Sequence, residues 1–167
     1  MRIYLEAFSL IFYFSETPAG ELVRDIFRRA HHEDITIITS DWSTNQFVDE
    51  LIFLAGGDEE KIYTARVLWR IMSRKQEDLG RKNKFIEVGL TSTLLDSSLL
   101  YVVNAFLTAE QAVHVFSAKL KGCDIFIVGD ERFQLEKERW KDDFDVYNLN
   151  NESDVKAFNS LLNSRFV

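Results

Sequence analysis

The strongest structural signal in the chain is Gly122-Cys-Asp-Ile-Phe-Ile-Val-Gly-Asp130. The run from Cys123 to Val128 is short, mostly apolar and rich in β-branched residues, which predicts a strand buried on both faces, as in a parallel sheet. The residues before it, Thr108-Ala-Glu-Gln111, form a capping-box pattern that begins a helix ending near Gly122. A helix that leads directly into a doubly buried strand indicates an α/β protein.

The same alternation of strands and helices continues in both directions. Further strands are predicted at Ile3–Leu5, including the aromatic run beyond it, and at 35–39, 85–88 and 146–149. Helices are predicted at about 18–30, 41–55, 59–75, 91–104, 131–140 and 152–163. This order predicts one α/β domain over residues 1–167, with a central, mainly parallel sheet of four to five strands covered on both sides. Ligands are expected at the carboxyl ends of the strands.

The single cysteine and the apolar start of the chain bear on its compartment. Cys123 alone excludes an intramolecular disulfide and cannot by itself build a thiolate metal site, which fits a reducing cytoplasm. The apolar run from Ile3 to Phe14 is about as long as a signal-peptide core, but Glu6 interrupts it and no small-residue cleavage site follows. The run is also shorter than the roughly 20 residues that span a bilayer. We therefore expect a cytoplasmic protein without a membrane partner.

The charge of the chain is unevenly distributed. The net charge is −7, which disfavours indiscriminate attraction to nucleic acid. Residues 61–84, however, include eight basic and two acidic residues, so the net charge of this segment is +6. The rest of the chain therefore carries a net charge of −13. A stripe of this kind is usually a solvated helix face, and the alternative is a surface that binds RNA or an acidic partner. The candidate binding residues are Arg66, Arg70, Arg74, Arg81 and Lys82.

Three segments resemble one known family. The segment from Leu107 to Ala118, followed by the strand that ends at Asp130, resembles the carboxyl-terminal half of PIN domains such as VapC-type toxins. In that family, a helix opening with Asp-Ala-x-His precedes a strand ending in Thr-Gly-Asp. In the amino-terminal half, Tyr4-Leu-Glu6 matches the family's acidic end of the first strand. Thr39-Ser-Asp-Trp-Ser-Thr-Asn-Gln46 resembles Ser-x-Trp-x-x-Asn-Glu. The resemblance spans nearly the whole chain and implies a PIN-like three-layer α/β/α sandwich.

The resemblance also implies a site. The family holds one or two Mg²⁺ or Mn²⁺ ions with four carboxylates, and the metal activates a water for RNA cleavage. The matching positions here are Glu6, Gln46, Gln111 and Asp130, so that two of the four acids are replaced by glutamine. We therefore expect only weak metal binding, at Glu6 and Asp130, and little or no hydrolysis. No cofactor is expected unless the site is active, in which case it is Mg or Mn.

Neighbouring residues could alter this site. Glu50 lies one helical turn after Gln46 on the same face and is a possible substitute ligand. Glu110 is expected to point about 100° away from Gln111 around the helix, outside the site. His114, one turn into the same helix, is expected to be a packed, hydrogen-bonded core residue.

Three functional hypotheses follow. The first is a non-catalytic PIN-like protein that binds RNA or a protein partner, such as an antitoxin-like segment. The second is an active Mg/Mn-dependent endoribonuclease of the VapC type using Glu6, Asp130 and Glu50, and the third is an unrelated α/β binding domain. The abundance of Phe and Trp, together with the pairing common among PIN-type toxins, further predicts a homodimer.

Overall fold

A computed structural model describes residues 1–32, 34–133 and 135–165. The strands are β1 (Arg2–Leu5), β2 (Thr36–Ser40), β3 (Phe85–Val88), β4 (Ile125–Val128) and β5 (Asp145–Asn148). The helices are α1 (Ala7–Phe12), α2 (Pro18–His32), α3 (Asp41–Ala55), α4 (Glu59–Gly80), α5 (Ser92–Ala105), α6 (Ala109–Leu120), α7 (Lys137–Trp140) and α8 (Glu152–Arg165). All five predicted strand regions are therefore confirmed within one or two residues of their expected starts.

The five strands form one sheet in the order β3-β2-β1-β4-β5, and every neighbouring pair is parallel. From β1 the chain proceeds outward through β2 and β3, then crosses back so that β4 pairs with the other edge of β1. The direction of winding thus reverses between β1 and β4. In open parallel sheets, a crevice forms at such a reversal, outside the carboxyl ends of the two strands.

Side chains that alternate along each strand divide the core into two halves. Ile3 and Leu5 pack on one face of the sheet, whereas Tyr4 packs on the other. The first half of the core contains apolar side chains of α1, α2, α3, α4 and α8, and the second contains those of α5, α6 and α7. The sheet therefore lies between two helical layers, which confirms the predicted three-layer α/β/α sandwich.

The predicted continuation of the first strand is wrong, because a short helix begins at Ala7. The Glu6 side chain caps this helix by accepting hydrogen bonds from the backbone N–H groups of Phe8 and Ser9. The first backbone N–H groups of a helix have no carbonyl partner within that helix. A side chain that accepts hydrogen bonds from them therefore stabilises a helix start relative to an extended chain. The apolar run is divided between a strand and a helix that starts at the sheet edge.

Three helical predictions also need correction. α4 extends beyond the expected end at Lys75 because Leu79, seven residues after the buried Met72, packs in the same core.

α7 is shorter than the predicted 131–140 helix: Glu131 and Arg132 lie in a turn, and residue 134 lies outside the described residues. The backbone N–H of Arg132 donates to the Asp130 side chain, a local bond that competes with helix formation. In α3, Trp42 and Leu54 are exposed, contrary to their predicted position on the inner face, and only Phe47 and Leu51 of that predicted set are buried.

Two observations concern the predictions about compartment. Cys123 is buried just before β4, and burial raises the pKa of its thiol to about 12, so it behaves as a small apolar side chain. Within the described ranges, no single helix is long and apolar enough to cross a membrane. Taken together, α5 and α6 reach the required length and composition, but they are bent by 113°.

Candidate functional site

A cleft of about 180 Å³ lies at the carboxyl ends of β1 and β4, where the winding of the sheet reverses. The first turns of α6 and the loop after β4 complete its walls. Its lining residues are Glu6, Thr108, Glu110, Gln111, His114, Asp130, Arg132 and Phe133. Three of the four predicted site positions therefore share one cleft, and the fourth, Gln46, lies beside it in contact with His114 and Glu110.

The Glu6 carboxylate is buried and surrounded by hydrogen-bond donors. Oε2 accepts from Phe8 N at 2.8 Å, and Oε1 accepts from Ser9 N and Ser9 Oγ, both at 3.0 Å. Oε1 also accepts from the backbone N–H groups of Gly129 and Asp130. Burial raises the pKa of Glu6 to about 7, and the hydrogen bonds from Phe8, Gly129 and Ser9 oppose that rise. The side chain thus joins the start of α1 to the end of β4.

Asp130, the one position that keeps the family's residue type, is paired with an arginine. Arg132 Nε lies 3.0 Å from Asp130 Oδ1, and Arg132 Nη2 lies 3.1 Å from Oδ2. The backbone N–H of Arg132 donates to Oδ1 at 2.9 Å, and the guanidinium carbon lies 5.6 Å from the centre of the Phe8 ring. The Asp130 side chain is 15% exposed and that of Arg132 is 77% exposed. The retained carboxylate therefore already has a two-point cationic partner at the mouth of the cleft.

Gln46 belongs to a hydrogen-bonded chain that leads from the core to the cleft. His114 Nε2 lies 3.0 Å from Gln46 Oε1, and Gln46 Nε2 donates to the Glu110 carboxylate. On the other side of the ring, His114 Nδ1 lies 3.0 Å from the Tyr4 hydroxyl and 3.3 Å from Ser43 Oγ. The Nε2–H tautomer satisfies both sides of the ring. Burial lowers the pKa of His114 to about 3, so the ring is neutral and the prediction of a packed core histidine is confirmed.

Gln111 is held at both ends of its side chain. Oε1 accepts from Thr108 N at 3.0 Å, which completes the predicted capping box, and Nε2 donates to the Arg132 carbonyl at 3.3 Å. The amide therefore ties the start of α6 to the loop that follows β4. Gln111 therefore lines the cleft with both polar atoms of its amide already engaged.

The expectation that Glu110 points away from the site is wrong. Glu110 lines the cleft and accepts a hydrogen bond from Gln46. Side chains on a helix lean toward its amino terminus, so two successive residues of the first turn of α6 both project over the start of the helix. Burial and the charge of Asp130 raise the pKa of Glu110, whereas Arg132 lowers it.

Glu50 contributes its charge to this region, although it is not among the residues that line the cleft. The pKa of Arg132 is raised, first by its hydrogen bond to Asp130 and then by the negative charges that include Glu110 and Glu50. Within residues 1–32, 34–133 and 135–165, no three His, Cys, Asp or Glu side chains are placed so that they could hold a metal ion together. With Glu6 surrounded by donors and Asp130 paired, the residues present do not fit a divalent-ion site in this arrangement.

The five basic residues predicted to bind a partner do not line the cleft: Arg66, Arg70, Arg74, Arg81 and Lys82. The first three are exposed on α4, and none of them forms an ion pair with any residue that the structure describes. Arg81 lies 3.8 Å from Glu77, and Lys82 Nζ lies 3.3 Å from His31 Nδ1. Arg66, Arg70 and Arg74 therefore form an exposed stripe on α4 without ion-pair partners among the described residues. Arg81 and Lys82, by contrast, have local partners.

Sequence reasoning missed the role of Arg132. Its signal was the spacing Asp130-Glu-Arg132, because an arginine two residues after an aspartate can fold back onto it when the chain turns. The capping box was a second signal, since its last residue, Gln111, was also assigned to the site. A side chain that reaches back to the helix start is already engaged.

Together, a five-stranded parallel sheet, two helical layers and a polar cleft at the winding reversal define a PIN-like α/β/α fold. Among solved structures, the chain is similar to VapC20 of Mycobacterium tuberculosis, described as a toxin that cleaves the sarcin-ricin loop. The TM-score is 0.51 at 12% identity, and the match covers 80% of this chain and 92% of that chain. No protein-family model matches the sequence, and comparison with curated proteins gives no match either. The structural similarity therefore confirms the fold.

Proposed function

We propose that this chain is a PIN-like protein without nuclease activity that acts by binding a partner. One observation carries this proposal: each side-chain oxygen at the four family positions already accepts a hydrogen bond from the chain. The Glu6 oxygens accept from donors of α1 and of the residues that follow β4, and both Asp130 oxygens accept from Arg132. Gln46 Oε1 faces His114, and Gln111 Oε1 faces Thr108 N.

This arrangement opposes metal-assisted hydrolysis for a chemical reason. A divalent ion that activates water needs several oxygen ligands, of which carboxylates supply the neutralising charge. Glutamine at two positions supplies none, and the ion pair with Arg132 offsets the charge of Asp130. An incoming cation would have to displace donors that the fold itself provides.

A cleavage assay tests the proposal directly. We expect the wild type to leave structured and single-stranded RNA intact in Mn²⁺ or Mg²⁺, with no difference between it and Asp130→Asn. The readout is RNA integrity on denaturing gels at increasing protein concentration. Asp142→Asn, at an exposed aspartate outside the cleft, is the matched control. Turnover that disappears in Asp130→Asn and persists in Asp142→Asn would show that the site is active.

The second candidate is a metal-dependent endoribonuclease of the VapC type that uses Glu6, Asp130 and Glu50. One observation favours it, since Glu110 brings a further carboxylate into the cleft beside Asp130. The same cleavage assay distinguishes the two candidates, because only the endoribonuclease candidate predicts that RNA is cleaved.

A protein partner is supported best by the surface formed by α3 and α4. Phe53 and Tyr63 are 76% and 70% exposed there. An apolar groove of about 320 Å³ runs between the two helices and is bordered by Arg66, whose guanidinium has no ion-pair partner in the described part of the chain. A segment with apolar and acidic side chains, as in an antitoxin-like partner, would complement this surface. Arg70 and Arg74 also lack ion-pair partners among the described residues. They could neutralise phosphate groups, and RNA is therefore the alternative ligand of this surface.

We further propose that the chain forms a homodimer through α5. Leu95, Leu99 and Val103 follow one another at intervals of four residues, which places them on one face of α5, and Phe106 follows directly after the helix. All four are exposed, Phe106 by 90%. A second copy of α5 would remove this apolar face from water.

Light scattering coupled to size-exclusion chromatography checks the dimer. We expect a mass twice that of the 19.5 kDa chain for the wild type and a monomer for Val103→Asp. Phe53→Asp, an equally drastic change on the separate α3 surface, should remain dimeric. A wild type that is monomeric at tens of micromolar would contradict this assignment of the α5 face.

A further inference from the structure

Arg132 has the contacts of a bound counter-ion. Its guanidinium meets Asp130 through two parallel N–H···O contacts, the strongest geometry available to an arginine and a carboxylate. Its backbone is fixed at the same time, because its N–H donates to Asp130 Oδ1 and its carbonyl accepts from Gln111 Nε2. The Phe8 ring lies beneath the guanidinium.

The position of this charge matches what the cleft requires. Asp130 and Glu110 both line the cleft, and Glu50 adds negative charge from α3. Carboxylates that converge in this way repel one another until a cation neutralises them. Lysine at this position would supply charge without the planar two-point contact, whereas arginine supplies both and stays protonated at any physiological pH.

We propose that Arg132 is an intramolecular counter-ion that takes the place of a divalent ion at Asp130. It follows that a variant without this positive charge gains a Mn²⁺ site built on Asp130 and Glu110. The inference rests on the proposed function and deepens it by naming the group that excludes the metal. Because Arg132 is only two residues from Asp130, its effective concentration at the carboxylate is high, and added metal competes poorly with it.

The ligands left after removal of Arg132 suit such an ion. Mn²⁺ and Mg²⁺ are often bound through one or two carboxylates, with water completing the coordination. Asp130 and Glu110 are the carboxylates of the cleft that do not cap a helix, since Glu6 serves as the cap of α1.

Mn²⁺ binding to folded variants tests the inference. We expect Arg132→Met to bind Mn²⁺ at least tenfold more tightly than the wild type, measured by loss of the free-Mn²⁺ electron paramagnetic resonance signal and by a Mn²⁺-dependent rise in melting temperature. Arg132→Lys should bind Mn²⁺ less tightly than Arg132→Met, because it keeps the positive charge although it loses the two-point contact. Arg28→Met is the matched control, since Arg28 also pairs locally with an aspartate, Asp25, at 3.0 Å. The double variant Arg132→Met/Asp130→Asn should lose the gained binding.

The outcomes separate this inference from the proposed function. If folded Arg132→Met binds Mn²⁺ no better than the wild type, the counter-ion inference is overturned, while the absence of nuclease activity stands on its own assay. If the wild type binds Mn²⁺ as tightly as Arg132→Met and loses it in Asp130→Asn, the inference also fails. RNA cleavage by the wild type overturns the proposed function irrespective of Mn²⁺ affinity. Circular dichroism verifies folding, and Arg132→Gln takes the place of Arg132→Met if the latter is unfolded.

Discussion

Gly129→Ala is expected to lower the free energy of unfolding by about 3–5 kcal/mol, because it combines overpacking with loss of a hydrogen bond to a carboxylate. A Cβ atom at this position would lie 2.5 Å from Phe8 C and from Ser9 N, and 2.9 Å from Glu6 Oε1. Two of these atoms belong to the backbone of α1, so relief requires a shift of the helix start. Such a shift would separate the Gly129 N–H from Glu6.

Urea denaturation followed by circular dichroism measures this loss. Gly80→Ala is the matched control, since a Cβ there would meet only Phe85 O at 3.9 Å, an ordinary contact. Because Gly80 ends α4 and alanine favours helix, we expect that variant to be unchanged or stabilised by up to about 1 kcal/mol. Equal stability of Gly129→Ala and the wild type would show that α1 does not press against the end of β4.

His114 is expected to make the protein sensitive to acid. Its pKa is about 3 in the folded protein against 6.5 for a free side chain, so the unfolded state takes up a proton first as the pH falls. The stability that neutral His114 contributes is therefore complete above pH 6.5 and is lost progressively toward pH 3. Between pH 7.5 and 4.5 the expected loss is about 3 kcal/mol.

The measured quantity is the stability of the wild type minus that of His114→Gln at each pH. A difference is needed because Glu6 has the opposite effect: its pKa rises from 4.5 to about 7 on folding, so its contribution is present below pH 4.5 and is lost as the pH rises to 7. Subtraction cancels the Glu6 contribution, which both proteins share. A difference that does not change with pH would contradict a buried neutral ring.

The fold was predictable because its signals are local. Apolar β-branched runs separated by helical periodicity marked every strand, and Thr108 with Gln111 marked the start of α6. The division of the first apolar run was not predictable from periodicity, since strand and helix share the same residue types there. What decides it is the cap formed by Glu6, whose other donors come from residues more than 120 positions away.

The sequence predicted which positions lie close together but not the contacts that they make. The resemblance implies that Glu6, Gln111 and Asp130 are neighbours, and all three line one cleft. Which group neutralises Asp130 depends on how the chain turns after β4, and a sequence pattern does not give that geometry. The inward position of Glu110 likewise depends on where α6 starts relative to α3, which brings Gln46 within reach.

The capping box of α6 has a consequence for any attempt to install catalysis on this scaffold. Gln111 is at once a helix cap and a brace for the Arg132 carbonyl. An aspartate there would lack the amide N–H that reaches this carbonyl, and would loosen the loop that carries the arginine. Exchanging Gln111 alone would therefore weaken this loop. An attempt to install catalysis has to replace the brace that Gln111 provides as well as the missing metal ligand.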